Sequence, residues 1–76
     1  MPHVIVKLWP GKSERQKEAL ADGVTKAVMA SLAYGAAAVS VSLEEVPPAE
    51  WSAKVHEPDI INGVGKLCKK PGYDPR

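Results

Sequence analysis

Two stretches of alternating apolar and polar residues, separated by one helical stripe, organise this chain. In PHVIVKLW (2–9), Val4, Val6 and Leu8 fall on one face and His3, Ile5, Lys7 and Trp9 on the other. That alternation in β-branched residues predicts a strand, closed by the turn signal Pro10-Gly11. SERQ (13–16) then fits a capping box, with Ser13 capping a helix and Gln16 reaching back to it. Leu20, Val24, Ala27, Val28, Ser31 and Leu32 recur at three- and four-residue intervals, which predicts one buried helical stripe ended by Gly35. AVSVSLEEV (38–46) alternates again, Val39, Val41 and Leu43 against Ser40, Ser42 and Glu44, and predicts a second strand.

Pro47-Pro48 break that strand, and AEWSAKV (49–55) reads as a loop or short helical turn built around Trp51. A second helix is predicted from Pro58, a residue suited to a first helical position. Ile60, Ile61, Val64, Leu67 and Cys68 would form its buried face, although Gly63 and Gly65 weaken it. Lys69 and Lys70 would complement the dipole at its end, with PGYDPR as a tail.

Strand, long helix and strand in succession imply a right-handed β-α-β crossover with parallel strands. The expected class is α/β (two-layer α+β in some schemes), one domain over 1–76, with both helices over the valine faces. Two parallel strands alone make a poor sheet, and Ile5 and Trp9 would lie on an uncovered face. A second subunit that extends the sheet resolves both problems.

Size points the same way. Seventy-six residues bury only about 60% of their unfolded surface, so small domains lean on disulfides, metals or association. Cys68 is the single cysteine and cannot form an internal disulfide. His3 and His56 with Cys68 are too few for a closed metal site, so no metal or cofactor is expected. A homo-oligomer is therefore the expected supplement. Ten basic and nine acidic residues give a net charge of +1 with no long block of one sign, which argues against nucleic acid. Apolar runs are too short to span a bilayer, and the first residues lack the pattern of a signal peptide. The expectation is a soluble cytoplasmic protein with a reduced thiol.

Pro2 is the candidate for chemistry. Methionine aminopeptidases remove Met1 when proline follows, and removal would turn the Pro2 amide into a secondary amine. An α-amino group titrates near about 7.7–8.0 in peptides, and a proline amine somewhat higher. Burial or a neighbouring lysine would lower that value toward neutrality, where a general base works best. The bland alternative is an edge device: proline at a strand start deters strands from stacking end to end.

Pro2, the first strand, GKSERQK (11–17) opening a long helix and VSVSLEEV (39–46) as the second strand together resemble the 4-oxalocrotonate tautomerase family. The resemblance covers about the first 50 residues in order and spacing, and the ending KKPGY (69–73) looks like the longer, dimeric branch rather than the hexameric one. It implies a cofactor-free keto–enol tautomerase with Pro2 as base. The family places an arginine after the glycine of the first turn, where this chain has Lys12, and often a second on strand two, where it has Ser40. An aromatic residue closes the family's pocket, and Trp51 matches it. Lysine supplies charge without the bidentate fork of a guanidinium, so the implied substrate is a small, more apolar enol such as that of phenylpyruvate.

Each site residue also has a plainer reading. Lys12 could be an ordinary turn lysine, Trp51 a packing plug, Ser40 a polar strand residue and His3 a structural or solvated histidine. Glu44 and Glu45 are adjacent on a strand and point to opposite faces, so they cannot form a carboxylate dyad. Cys68 reads as a small buried residue on the last helix. The rival function is a dimeric ligand-binding or interaction module on the same fold, without turnover.

Overall fold

A computed structural model describes residues 1–63, 65 and 67–73. The chain divides into two compact units, Met1–Glu45 and Val46–Arg76. The first is the β-α-β unit. Strand β1 (His3–Leu8) pairs in parallel with β2 (Ser40–Glu45), joined through the 19-residue helix α1 (Glu14–Leu32). The register sets His3 beside Ser40, Val4 beside Val41, Ile5 beside Ser42 and Val6 beside Leu43. Val4, Val6, Val41 and Leu43 are half-buried on one face, whereas Ile5 is 55% exposed on the other and Trp9, just past β1, is 56% exposed. The expected uncovered face is there.

Helix α1 begins as its capping box requires. The Gln16 N–H donates to Ser13 Oγ at 3.1 Å, and the Ser13 N–H donates to Gln16 Oε1 at 3.0 Å. These bonds satisfy two donors that a helix start would otherwise leave open. Lys17 then ties the first turn to the end of β2, with Nζ 2.9 Å from Glu14 and 3.3 Å from Glu45. The half-buried stripe is Lys17, Ala21, Val24, Thr25, Val28 and Met29. Val24 and Val28 were expected there; Leu20, Ala27, Ser31 and Leu32 instead lie on the exposed side. Residue hydropathy places the stripe to one side of the observed one, because it does not credit Lys17, whose stem packs while its ammonium pairs.

The helix stops earlier than Gly35. Ala33 takes the left-handed cap conformation (φ 60°, ψ 38°) and its N–H donates to the Met29 carbonyl at 3.1 Å. Gly35 is extended and leads a short 3₁₀ turn, Ala36–Ala38. Gly11, by contrast, does need its freedom: its φ of 118° turns the chain from β1 toward α1.

The second unit departs further from expectation. After a 3₁₀ turn at Pro48–Glu50, a ten-residue π-helix runs Ser52–Ile61, and it contains Pro58 rather than starting there. Its closing bond spans five residues, Asn62 N–H to the Glu57 carbonyl at 3.0 Å. In an α-helix the Pro58 ring would crowd the Lys54 carbonyl four residues back; the wider winding carries the backbone through. At Gly63 a Cβ would collide with the Asp59 carbonyl, so only glycine lets the chain leave the helix by this route.

The buried residues on this helix are Val55 (5% exposed) and His56 (3%). Ile60 is half-buried, while Ile61, Leu67 and Cys68 are exposed; Val64 lies outside the described residues. Lys69 and Lys70 cap no helix. Among the described residues, Val46 and Val55 are the only buried hydrophobic ones. A core that thin is what a chain of this size shows when much of its apolar surface is left for association. No helix among the described residues is long and apolar enough to cross a membrane.

Candidate active site

Pro2 stands immediately before β1, half-buried, and Met1 ahead of it is 91% exposed. Its one backbone tie to the neighbouring strand uses the carbonyl, which accepts the Ser40 N–H at 3.1 Å. Proline has no N–H, so its nitrogen takes no part in the ladder. Cleaving the Met1–Pro2 bond would therefore break no sheet hydrogen bond, and it would leave an amine anchored one residue from a strand.

Ser40 opens β2 and so comes beside Pro2. Its Oγ lies 2.6 Å from Nδ1 of His3, the residue paired with it in the register. The pair sits on the exposed face, at the edge of the sheet that carries Pro2. Sequence reasoning valued His3 only as a lone histidine. The missed signal was that two polar residues open the two strands on the same face, which parallel register makes neighbours.

Lys12 occupies the loop after β1, one residue beyond Gly11, and is exposed. A strand of six residues spans about 20 Å, and Pro2 and Lys12 flank its opposite ends. Trp51, in the second unit, is half-buried at the joint between the 3₁₀ turn and the π-helix. Its indole N–H donates to the Tyr73 hydroxyl at 3.0 Å. The Tyr73 ring also lies 6.1 Å from the buried His56 ring, tilted by 47°. Within the first unit, then, Ser40 and His3 gather at Pro2 and Lys12 is carried to the far end of the strand.

The electrostatics elsewhere in the unit are structural. Hydrogen bonds that the Lys17 ammonium donates to Glu14 and then to Glu45 hold it above its usual pKa range, and a bond to Asp22 at 2.9 Å does the same for Lys26. Among the described residues no three His, Cys, Asp or Glu side chains cluster as a metal site would require.

The family described as "Tautomerase enzyme" matches residues 2–58. The chain is 42% identical over 73 residues to a protein of Xylella fastidiosa (strain 9a5c) named "Probable tautomerase", covering 96% of this chain and 89% of that one. It is 39% identical over 75 residues to Tautomerase PptA of Cronobacter sakazakii, covering 97% and 99%. Among solved structures it resembles TomN, a 4-oxalocrotonate tautomerase homologue of the tomaymycin biosynthetic pathway. There the TM-score is 0.64 at 36% identity, over 66% of this chain and 77% of that one.

Proposed function

The chain belongs to the tautomerase family, and on that basis we propose that it is a cofactor-free keto–enol tautomerase whose general base is the secondary amine of Pro2, formed when Met1 is removed. The observation that carries this reading is the setting of Pro2: half-buried, held through its carbonyl alone, behind a methionine exposed to processing. In ketonisation the Pro2 amine takes the proton of the enol hydroxyl, the O–H electrons form the C=O π bond, and the electrons of the C=C π bond take the proton back from the Pro2 ammonium to form the C–H bond at the α-carbon. No electron is gained or lost, so the reaction needs no redox partner. The ring holds the nitrogen in one orientation at the start of the strand.

Lys12 and Trp51 supply the substrate contacts in this reading, with Ser40 beside the base. Because Lys12 lies a strand's length from its own Pro2, it serves the Pro2 of another copy, and the active form is a homo-oligomer, a dimer in the first instance. Ile5 and Trp9 on the open sheet face and the thin core support that assembly. A single ammonium suits one carboxylate, and an indole wall suits an aryl or other apolar group. The substrate is accordingly a 2-oxo acid enol of the phenylpyruvate kind, handled in the cytoplasm.

One observation favours the non-catalytic binding module instead: Ser40, at the position of the family's strand arginine, has its hydroxyl engaged by His3. Replacing Pro2 separates the two. Pro2→Ala retains a primary amine after processing, so its kcat/KM for enol phenylpyruvate should fall at least about tenfold, without vanishing. An unchanged kcat/KM would end the Pro2 mechanism.

A further inference from the structure

From the contact between Trp51 and Tyr73 we infer that Tyr73 is a positioning residue, which fixes the indole of Trp51 and thereby sets the enzyme's affinity for aryl substrates. The inference rests on the tautomerase reading only for the role of Trp51; the contact itself is independent of it. Tyr73 lies fifteen residues beyond the stretch that matches the family, which ends at residue 58. The common unit therefore supplies the indole, and the C-terminal extension supplies its acceptor.

The contact is directional: Trp51 Nε1 can only donate, and the Tyr73 hydroxyl can accept. The Tyr73 hydroxyl meets it at 3.0 Å across 22 residues of chain. Tyr73 is held in turn by the tilted His56 ring and lines a cleft with His56, Ile60 and Pro71. His56 is 3% exposed, so the tail is seated on a fixed point of the helix. Removing the phenolic oxygen leaves that ring seating intact and deletes only the link to the indole. The indole then loses the tie that Tyr73 gives it, and the wall on which an aryl group would stack is held less closely. The chemistry at Pro2 is untouched.

The test is Tyr73→Phe in Met1-processed protein, alone and combined with Trp51→Phe, with Trp9→Phe as the background for fluorescence. Tyr73→Phe should raise KM for enol phenylpyruvate about three- to tenfold, the loss expected for one hydrogen bond, with kcat within about twofold. It should shift the emission of Trp51 and add less than about twofold to KM once Trp51 is phenylalanine. An unchanged KM, or an effect that persists undiminished in Trp51→Phe, overturns the inference. Absence of turnover in processed wild type counts against the tautomerase reading, not against Tyr73. The same comparison on the Kd of phenylpyruvate by calorimetry then decides, and no binding or an unshifted Kd overturns the inference.

Discussion

Substituting residues 33 and 35 separately tests how helix α1 ends. Ala33 is the only non-glycine residue with positive φ among the described residues, at φ 60° and ψ 38°. A Cβ in that conformation costs about 1–2 kcal/mol, which Ala33→Gly removes. Glycine gives back about 0.4–1 kcal/mol through the greater freedom of the unfolded chain. The net gain lies between about 0 and 1.6 kcal/mol, centred near about 0.8 kcal/mol, or roughly 3–6 °C in Tm at that centre for a domain of this size. Gly35→Ala should have the same sign by a different route. Gly35 is extended at φ −78° and ψ 159°, and a Cβ there meets nothing within 4 Å. Alanine therefore restricts the unfolded chain at no cost to the folded one, a gain of about 0.4–1 kcal/mol. Thermal and urea unfolding at matched protein concentration would measure both, the matching being needed because association shifts Tm. Were Gly35 the left-handed cap, Gly35→Ala would lose about 1 kcal/mol or more and Ala33→Gly would lose about 0.4–1 kcal/mol. That pair of results would refute the assignment.

Three further substitutions probe separate parts of the fold. Ser13→Ala removes the hydroxyl from the capping box and should cost about 1 kcal/mol in urea unfolding; no loss would mean the cap is redundant. Gly63→Ala places a Cβ against the Asp59 carbonyl and should destabilise the protein by about 1–3 kcal/mol, so an unchanged urea midpoint would contradict the exit route from the π-helix. Lys17 has its pKa raised above 10.5 by Glu14 and then Glu45, so its ion pairs stabilise the fold fully below that pH wherever the two carboxylates are ionised. The contribution is lost as pH rises through the higher folded-state value, and the Tm difference between wild type and Lys17→Met should shrink only at strongly alkaline pH. A difference constant from pH 8 through alkaline unfolding would show that the Lys17 stem, not its charge, carries the effect.

The parts of this fold that were legible in the sequence are those governed by standard periodicities. Alternation in PHVIVKLW and AVSVSLEEV gave the strands, and three- and four-residue spacing with the Ser13–Gln16 box gave α1. The π-helix was illegible because its hydrogen bonds span five residues, so a 3.6-residue template finds no stripe in it. Pro58 then reads as a beginning when it is an interior residue. Residue type favours Gly35 as the helix end, yet Ala33 adopts the left-handed conformation because α1 has already stopped at Leu32. At the site, Pro2 and Ser40 could be placed by strand order alone. The His3–Ser40 pair required the register, and the Trp51–Tyr73 bond crosses irregular chain that carries no periodic signal.

Every functional step above depends on the Pro2 nitrogen being an amine, and one comparison addresses that directly. Protein with Met1 removed and protein with Met1 retained, each confirmed by intact mass, are assayed for ketonisation of enol phenylpyruvate. The account predicts saturable acceleration by the processed form and none above background by the retained form, whose Pro2 is an amide. Equal rates from the two forms, or no acceleration by either, would contradict it.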